Sequence, residues 1–168
     1  MARIEDGLDA IVVPSGGSVE EDLQRARRAI RRNDEYERKT GSRVPYIISG
    51  VGPDMNKVLE EGADLDFHGE LYGYMVDNTK EFIGMDIRSR DSVGNVLNTF
   101  PKGTSGTYEI VSYPWHLLRF KLIEKVAKLK GRIPKDVKID YVPTGQSRKQ
   151  KIRGLASLAK EFVRVVGI

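Results

Sequence analysis

The chain has 168 residues, 39% hydrophobic and 31% charged, the size and balance of one globular domain with a sizeable core. It has no cysteine, which excludes a disulfide framework, thiolate metal ligands and a cysteine nucleophile, and no apolar run approaches the roughly 20 residues of a membrane span. The net charge of +4 is unevenly divided: residues 119–168 carry 14 Lys and Arg against 4 Asp and Glu, a balance of +10, which leaves −6 on the rest.

In chain order, Met1–Asp9 is of mixed charge and lacks the basic-then-apolar pattern of a secretory signal, so a cytoplasmic protein is expected. Asp9–Val13 is a short run rich in β-branched residues and predicts a first strand. Pro14-Ser15-Gly16-Gly17 forms a turn. Ser18 and Glu21 have capping-box spacing and open a helix, along which Val19, Leu23, Ala26 and Ile30 are expected to face the core while Arg27, Arg28, Arg31 and Arg32 point mostly elsewhere. Gly41 ends it. Val44–Ser49 predicts the second strand, with Pro45 at its start where a missing N–H matters least, and Gly50-Val51-Gly52-Pro53 the next turn.

Asp54–Glu61 suits a short helix, and Ala63–Gly69 is irregular and acidic. Within it Asp64, Asp66, His68 and Glu70 alternate. An extended backbone would put all four on one side, as a divalent metal requires, whereas a solvated acidic loop is the commoner outcome, and no metal site is assigned. Glu70–Asn78 predicts a helix and Phe82–Ile87 the third strand. A helix over Ser92–Phe100, the loop Pro101–Gly106, a fourth strand at Tyr108–Val111 and a helix over Trp115–Lys130 follow, the last with a stripe of Leu118, Leu122, Val126 and Leu129. Val137–Val142 is the fifth strand and Gln146–Val165 a closing helix. Strands alternating with helices predict a single α/β domain, a Rossmann-like three-layer sandwich around a mostly parallel sheet of about five strands.

In such a fold ligands bind beyond the carboxyl ends of the strands, and four strand-to-helix junctions there are polar. Ser15-Gly16-Gly17-Ser18 lets backbone N–H groups approach an anion at a helix start, although any tight turn favours these residues. Ser49-Gly50-Val51-Gly52 resembles part of a dinucleotide fingerprint, but Met55 occupies the third glycine position and the segment follows the second strand, which argues against nicotinamide or flavin. The third junction is Asp86-x-x-Ser89-x-Asp91-Ser92-x-x-Asn95. Ser92 and Asn95 share a helix face, and Ser89 or Asp91 is a candidate N-cap. The fourth is Ser112-Tyr113-Pro114-Trp115-His116-x-x-Arg119, where His116 and Arg119 share the first turn of a helix. Arg offers a planar fork to phosphate or carboxylate, and His moves protons near neutral pH.

In order, spacing and strand context these motifs resemble those of the domain of unknown function 218 family, which includes envelope-biogenesis and vancomycin-sensitivity proteins of bacteria. The family's pattern is Gly-Gly after a strand, an Arg in the next helix, a strand ending in Ser-Gly, then Glu-x-x-Ser-x-Asn-Thr-x-Glu-Asn, and finally a strand with Thr-Ser-x-x-His-x-x-Arg. Here these are Gly16-Gly17, Arg25, Ser49-Gly50, Asp86 to Asn95 and Ser112 to Arg119. The chain departs from it with Asp86 for Glu, Asp91 for Asn, Ser92 for Thr, Gly94 for Glu, and one extra residue between Ser112 and His116. The resemblance implies a Rossmann-like fold with a polar cleft and supplies no reaction; many members carry a membrane segment, which this chain lacks.

The cleft is expected to bind a small anionic metabolite, a nucleotide or a phosphate-linked sugar or lipid precursor. Gly16, Gly17, Ser49 and Gly50 would give backbone contacts, Arg25 and Arg119 would pair with the anion, and Ser89, Ser92, Asn95 and Ser112 would contact the ligand or orient the His. Asp86 is the candidate base or metal ligand and His116 the candidate proton donor. No cofactor is specified, and the oligomeric state is open. One alternative is a hydrolase or group-transfer enzyme built on Asp86 and His116, with Ser92 as nucleophile but no Gly-x-Ser-x-Gly elbow. Another is a nucleic-acid module using the basic C-terminal third, disfavoured by the scarcity of aromatic residues there.

Overall fold

The structure is a computed structural model that describes residues 7–16, 18–50, 66–86, 89 and 91–145. Gly17, the expected helix at Asp54–Glu61, Asp64, Ile87 and the closing helix Gln146–Val165 with its basic start lie outside the described residues. The elements run β1 (Leu8–Pro14), α1 (Val19–Thr40), β2 (Tyr46–Ser49), α2 (Asp66–Asn78), β3 (Ile83–Asp86), α3 (Ser92–Thr99), β4 (Gly106–Ser112), α4 (Pro114–Leu129) and β5 (Val137–Pro143). Every strand pair is parallel, and the sheet order is β3-β2-β1-β4-β5. The fold is the expected α/β class, a Rossmann-like three-layer sandwich.

The central strand β1 is an unbroken apolar run from Ala10 to Val13 because both faces of the sheet are covered there, whereas the edge strand β5 alternates. Ile11, Val13, Tyr46, Ile48 and Val111 pack on one side with Ala26 and Ala29 of α1 and Leu71 and Met75 of α2. Val12, Ile110 and Val137 pack on the other with Val96 of α3 and Phe120 and Ile123 of α4. Neighbours such as Val12 and Val13 take opposite faces, the two-residue period of a strand. Local chemistry sets the ends of α1. The Ser18 hydroxyl accepts from the Glu21 amide at 3.3 Å, and Gly41, at φ +77°, adopts the left-handed conformation that closes the last turn.

Two helices present faces other than those expected. On α1 the buried residues are Asp22, Arg25, Ala26, Ala29, Arg32, Asn33 and Tyr36, so Ala26 alone of the expected stripe is fully buried. The two alanines bring the helix close to the sheet, and the polar residues on that face have specific partners. Arg32 forks onto Glu109 of β4, Nε to Oε2 at 2.7 Å and Nη2 to Oε1 at 2.5 Å. That hydrogen bond, acting against burial, raises the Arg32 pKa. Asn33 brackets the Val44 backbone, donating to its carbonyl at 2.8 Å and accepting from its amide at 3.1 Å. On α4 the buried face is Leu117, Phe120, Ile123 and Ala127, while Leu118 is 44% and Leu129 87% exposed. This helix is apolar on two sides, and spacing alone permits either as the core stripe.

The alternation of Asp64, Asp66, His68 and Glu70 presumed an extended backbone, but α2 is helical from Asp66. Among the described residues no cluster of His, Asp or Glu is able to hold a metal ion, and no helix is long and apolar enough to cross a membrane.

Candidate functional site

Parallel pairing aligns the carboxyl ends of the strands. Ser49 stands opposite Pro14 on one side and Asp86 on the other, and Ser112 stands opposite Pro143. Strand order reverses between β1 and β4, where the chain leaves β1 for a helix on one face and β4 for a helix on the other. In an open α/β sheet such a switch point is where a ligand is taken.

On the β1 side, Asp22 and Arg25 organise the turn. The Asp22 carboxylate accepts the Ser15 hydroxyl at 3.0 Å and the Gly16 amide at 3.2 and 3.3 Å. Arg25 Nη1 pairs with Asp22 and donates to the carbonyls of Pro14 at 3.1 Å and Gly16 at 2.9 Å. Both side chains are buried, and Gly16 has φ +127°, a conformation that favours glycine. The Arg25 guanidinium also lies over the Tyr113 ring, 4.8 Å from its centroid, and the Tyr113 hydroxyl donates to the Glu21 carbonyl at 3.1 Å. Arg25, expected to pair with a ligand, thus also holds the β1 turn against the exit of β4. Asp22 escaped the sequence reasoning; its one signal is a carboxylate three residues before that Arg.

On the β4 side, His116 lies between two hydroxyls. Its Nδ1 is 2.8 Å from Ser112 Oγ and its Nε2 3.2 Å from Ser92 Oγ. Arg119 Nη2 donates to the same Ser92 oxygen at 2.7 Å. The Phe120 ring packs on the imidazole with centroids 4.3 Å apart. Burial first, then the charges of Arg25 and Arg119, push the His116 pKa well below the ordinary histidine range, so the ring is neutral at physiological pH. Two tautomers satisfy these contacts. In one, Ser92 O–H donates to Nε2 and Nδ1–H to Ser112; the other reverses both. The α4 N-terminus above them has Pro114 in its first turn and no side-chain cap.

The β2 and β3 ends form a second group. Ser49 Oγ donates to the Asn95 carbonyl at 3.1 Å and accepts from Thr99 Oγ1 at 2.8 Å. Gly50 has φ +99°, and a Cβ there would stand 2.4 Å from Asn95 Oδ1. That oxygen is buried with no hydrogen-bond partner. Asp86 accepts from the Ser89 hydroxyl, which also accepts from Asn98 Nδ2 at 2.9 Å. Asp91 is the N-cap of α3, taking the Gly94 amide at 2.8 Å. A Cβ at Gly94, where the resembled family has Glu, would stand 3.3 Å from Ser89 Cα, so this turn leaves little room for that side chain.

Ser92, Ser112, His116 and Arg119 therefore meet, with Arg25 close enough for its charge to act on the imidazole. Ser49, Gly50, Asp86, Ser89 and Asn95 gather beside them along the same edge. The hydrogen-bond partners of His116 are Ser92 and Ser112, and Asp86 is not among them. A cleft of about 360 Å³ also opens between α4 and β5, lined by Trp115, Leu118, Lys121 and Tyr141 among others, residues whose spacing along the chain carries no signal of it.

Fold and site together define a Rossmann-like α/β domain with a buried Ser–His–Ser–Arg cluster at its switch point. Comparison with protein-family models, curated proteins and solved structures gives no match.

Proposed function

We propose that the crevice between β1 and β4 binds a small phosphate-bearing anion. The observation that carries this is the convergence of two guanidinium groups, Arg25 and Arg119, on one neutral imidazole beside a helix N-terminus without a side-chain cap. Helix N-termini and Arg forks are the usual protein partners of phosphate, and the neutral His116 holds the hydroxyls of Ser92 and Ser112 beside them. Membership of the domain of unknown function 218 family belongs to the same reading; it rests on the order and spacing of Arg25, Ser49-Gly50, Ser92, Asn95, His116 and Arg119. So does a cytoplasmic setting, where phosphorylated metabolites are found.

The test is thermal unfolding against inorganic phosphate, nucleotides, sugar nucleotides and polyprenyl phosphate analogues. At ~100 times its dissociation constant a ligand adds roughly 2.7 kcal/mol, a shift of several degrees in a domain of this size. Arg119→Ala is expected to remove the shift without unfolding the protein. A shift that survives Arg119→Ala would place the ligand elsewhere.

A further inference from the structure

We infer that Ser92 is a nucleophile for phosphoryl transfer from small phosphomonoesters, with His116 as its proton acceptor; the inference rests on the anion-binding reading above. Ser92 begins α3, so its oxygen lies at the positive end of a helix, and the amide of Val93, second in that helix, has no intrahelical acceptor. Its Oγ is in contact with a ring nitrogen at 3.2 Å and a guanidinium nitrogen at 2.7 Å. A serine oxygen is a weak nucleophile until an adjacent base takes its proton. Here His116 Nε2 is placed to take it, Ser112 fixes the other ring nitrogen at 2.8 Å, and Phe120 fixes the ring plane. Ser112 fills the orienting position that a carboxylate holds in a Ser-His-Asp triad. Arg119 supplies the charge that steadies the oxygen as it loses its proton and the phosphoryl oxygens as they are transferred.

In the forward step the Ser92 Oγ lone pair forms a bond to phosphorus while its proton passes to His116 Nε2. The phosphorus–oxygen bond of the ester breaks with its electron pair, and the leaving alkoxide takes the proton from His116. Water then attacks the phosphoserine through the same imidazole, releasing inorganic phosphate and restoring the Ser92 hydroxyl. Burial and two arginine charges keep the free imidazole a weak base. A bound phosphate dianion offsets those charges and raises its basicity, so the base is strengthened by the substrate. Ser92 is 5% exposed, which favours a monoester, whose phosphoryl end is unencumbered.

The experiment uses p-nitrophenyl phosphate as probe and inorganic phosphate as binding control. Wild type is expected to release p-nitrophenol and, after acid quench, to carry one phosphoryl group on the Ser92 peptide by mass spectrometry. Ser92→Ala and His116→Asn are each expected to lose roughly 100-fold or more in turnover, with melting temperatures that still rise in phosphate. Ser112 is a positioning residue. Ser112→Ala is expected to move the acid limb of the turnover profile to lower pH, because the imidazolium loses an acceptor, and Ser112→Thr to restore it. Turnover that survives Ser92→Ala overturns the inference, as does a phosphate-responsive wild type with neither turnover nor adduct. A wild type without phosphate response or turnover removes the binding reading as well.

Discussion

The two halves of the carboxyl edge hold similar residue types in opposite electrostatic settings. At β1 and β4, Arg25, Arg119 and the N-terminus of α4 surround a neutral His116, and the one buried carboxylate there, Asp22, is committed to Arg25 and the Ser15–Gly16 turn. At β2 and β3 the chain places Asp86, the hydroxyls of Ser49, Ser89 and Thr99, and the Asn95 amide, bonded largely to one another and to backbone. One half is arranged to receive negative charge, and the other holds a helix end against the sheet. Polarity at a strand end is therefore a poor guide to function. What distinguishes the halves is the charge that gathers on each: two guanidinium groups act on the imidazole in one, and hydroxyl, amide and Asp86 carboxylate groups bond to one another in the other.

The hardest way to break this contrast is to remove Asp22. Arg25 would keep the Pro14 and Gly16 carbonyls but only the Glu21 carboxylate, at 4.0 Å, and breaking a buried pair by deleting one partner costs about 3–5 kcal/mol. Asp22→Ala is expected to lose that much in urea unfolding and to abolish phosphate-dependent stabilisation, because the β1 turn loses its anchor. On the other half, Gly50→Ala is expected to cost about 1–3 kcal/mol from the left-handed backbone alone, plus the clash with Asn95 Oδ1. Asn95→Ala in the same chain should relieve the clash but not the strain. A double-mutant cycle with no coupling between the two positions would refute the close approach. Phosphate-dependent stabilisation should survive in the Gly50→Ala protein, since the site lies across β1.

Much of this architecture was legible in the chain. Unbroken apolar runs rich in β-branched residues, such as residues 10–13, identify strands covered on both faces, and Ser18, Glu21 and Gly41 mark the ends of α1. The carboxyl-edge rule then pointed to Ser92, Ser112, His116 and Arg119 without saying that they touch. Ser92 and His116 are 24 residues apart and meet only because α3 packs on α4, information that no local period contains. The buried face of α1 stayed hidden for a related reason. Arg32 counts as surface by polarity, and its partner Glu109 is 77 residues away. Strand order was likewise beyond reach, because the apolar pattern of a strand does not name the neighbour it pairs with.

The finest discriminator between the halves is proton linkage at His116. Its pKa in the folded protein lies below the unfolded value of about 6.5. As pH falls through the unfolded pKa, the unfolded chain takes up a proton that the folded chain refuses, so stability declines until the folded pKa is reached. Above the unfolded pKa both states are neutral and this dependence vanishes. His116→Asn should therefore flatten the stability curve just below pH ~6.5, measured as the difference between wild-type and variant urea midpoints across that range. Inorganic phosphate should flatten the wild-type curve in the same window, because an anion beside Arg25 and Arg119 offsets the charges that help keep the imidazole neutral. The Asp86 half provides the control: Asp86→Asn should leave this slope unchanged, since Asp86 makes no hydrogen bond to the imidazole. A wild-type slope insensitive to phosphate yet abolished by His116→Asn would mean that the imidazole is held neutral by burial alone, and that bound anion does not reach the arginines beside it.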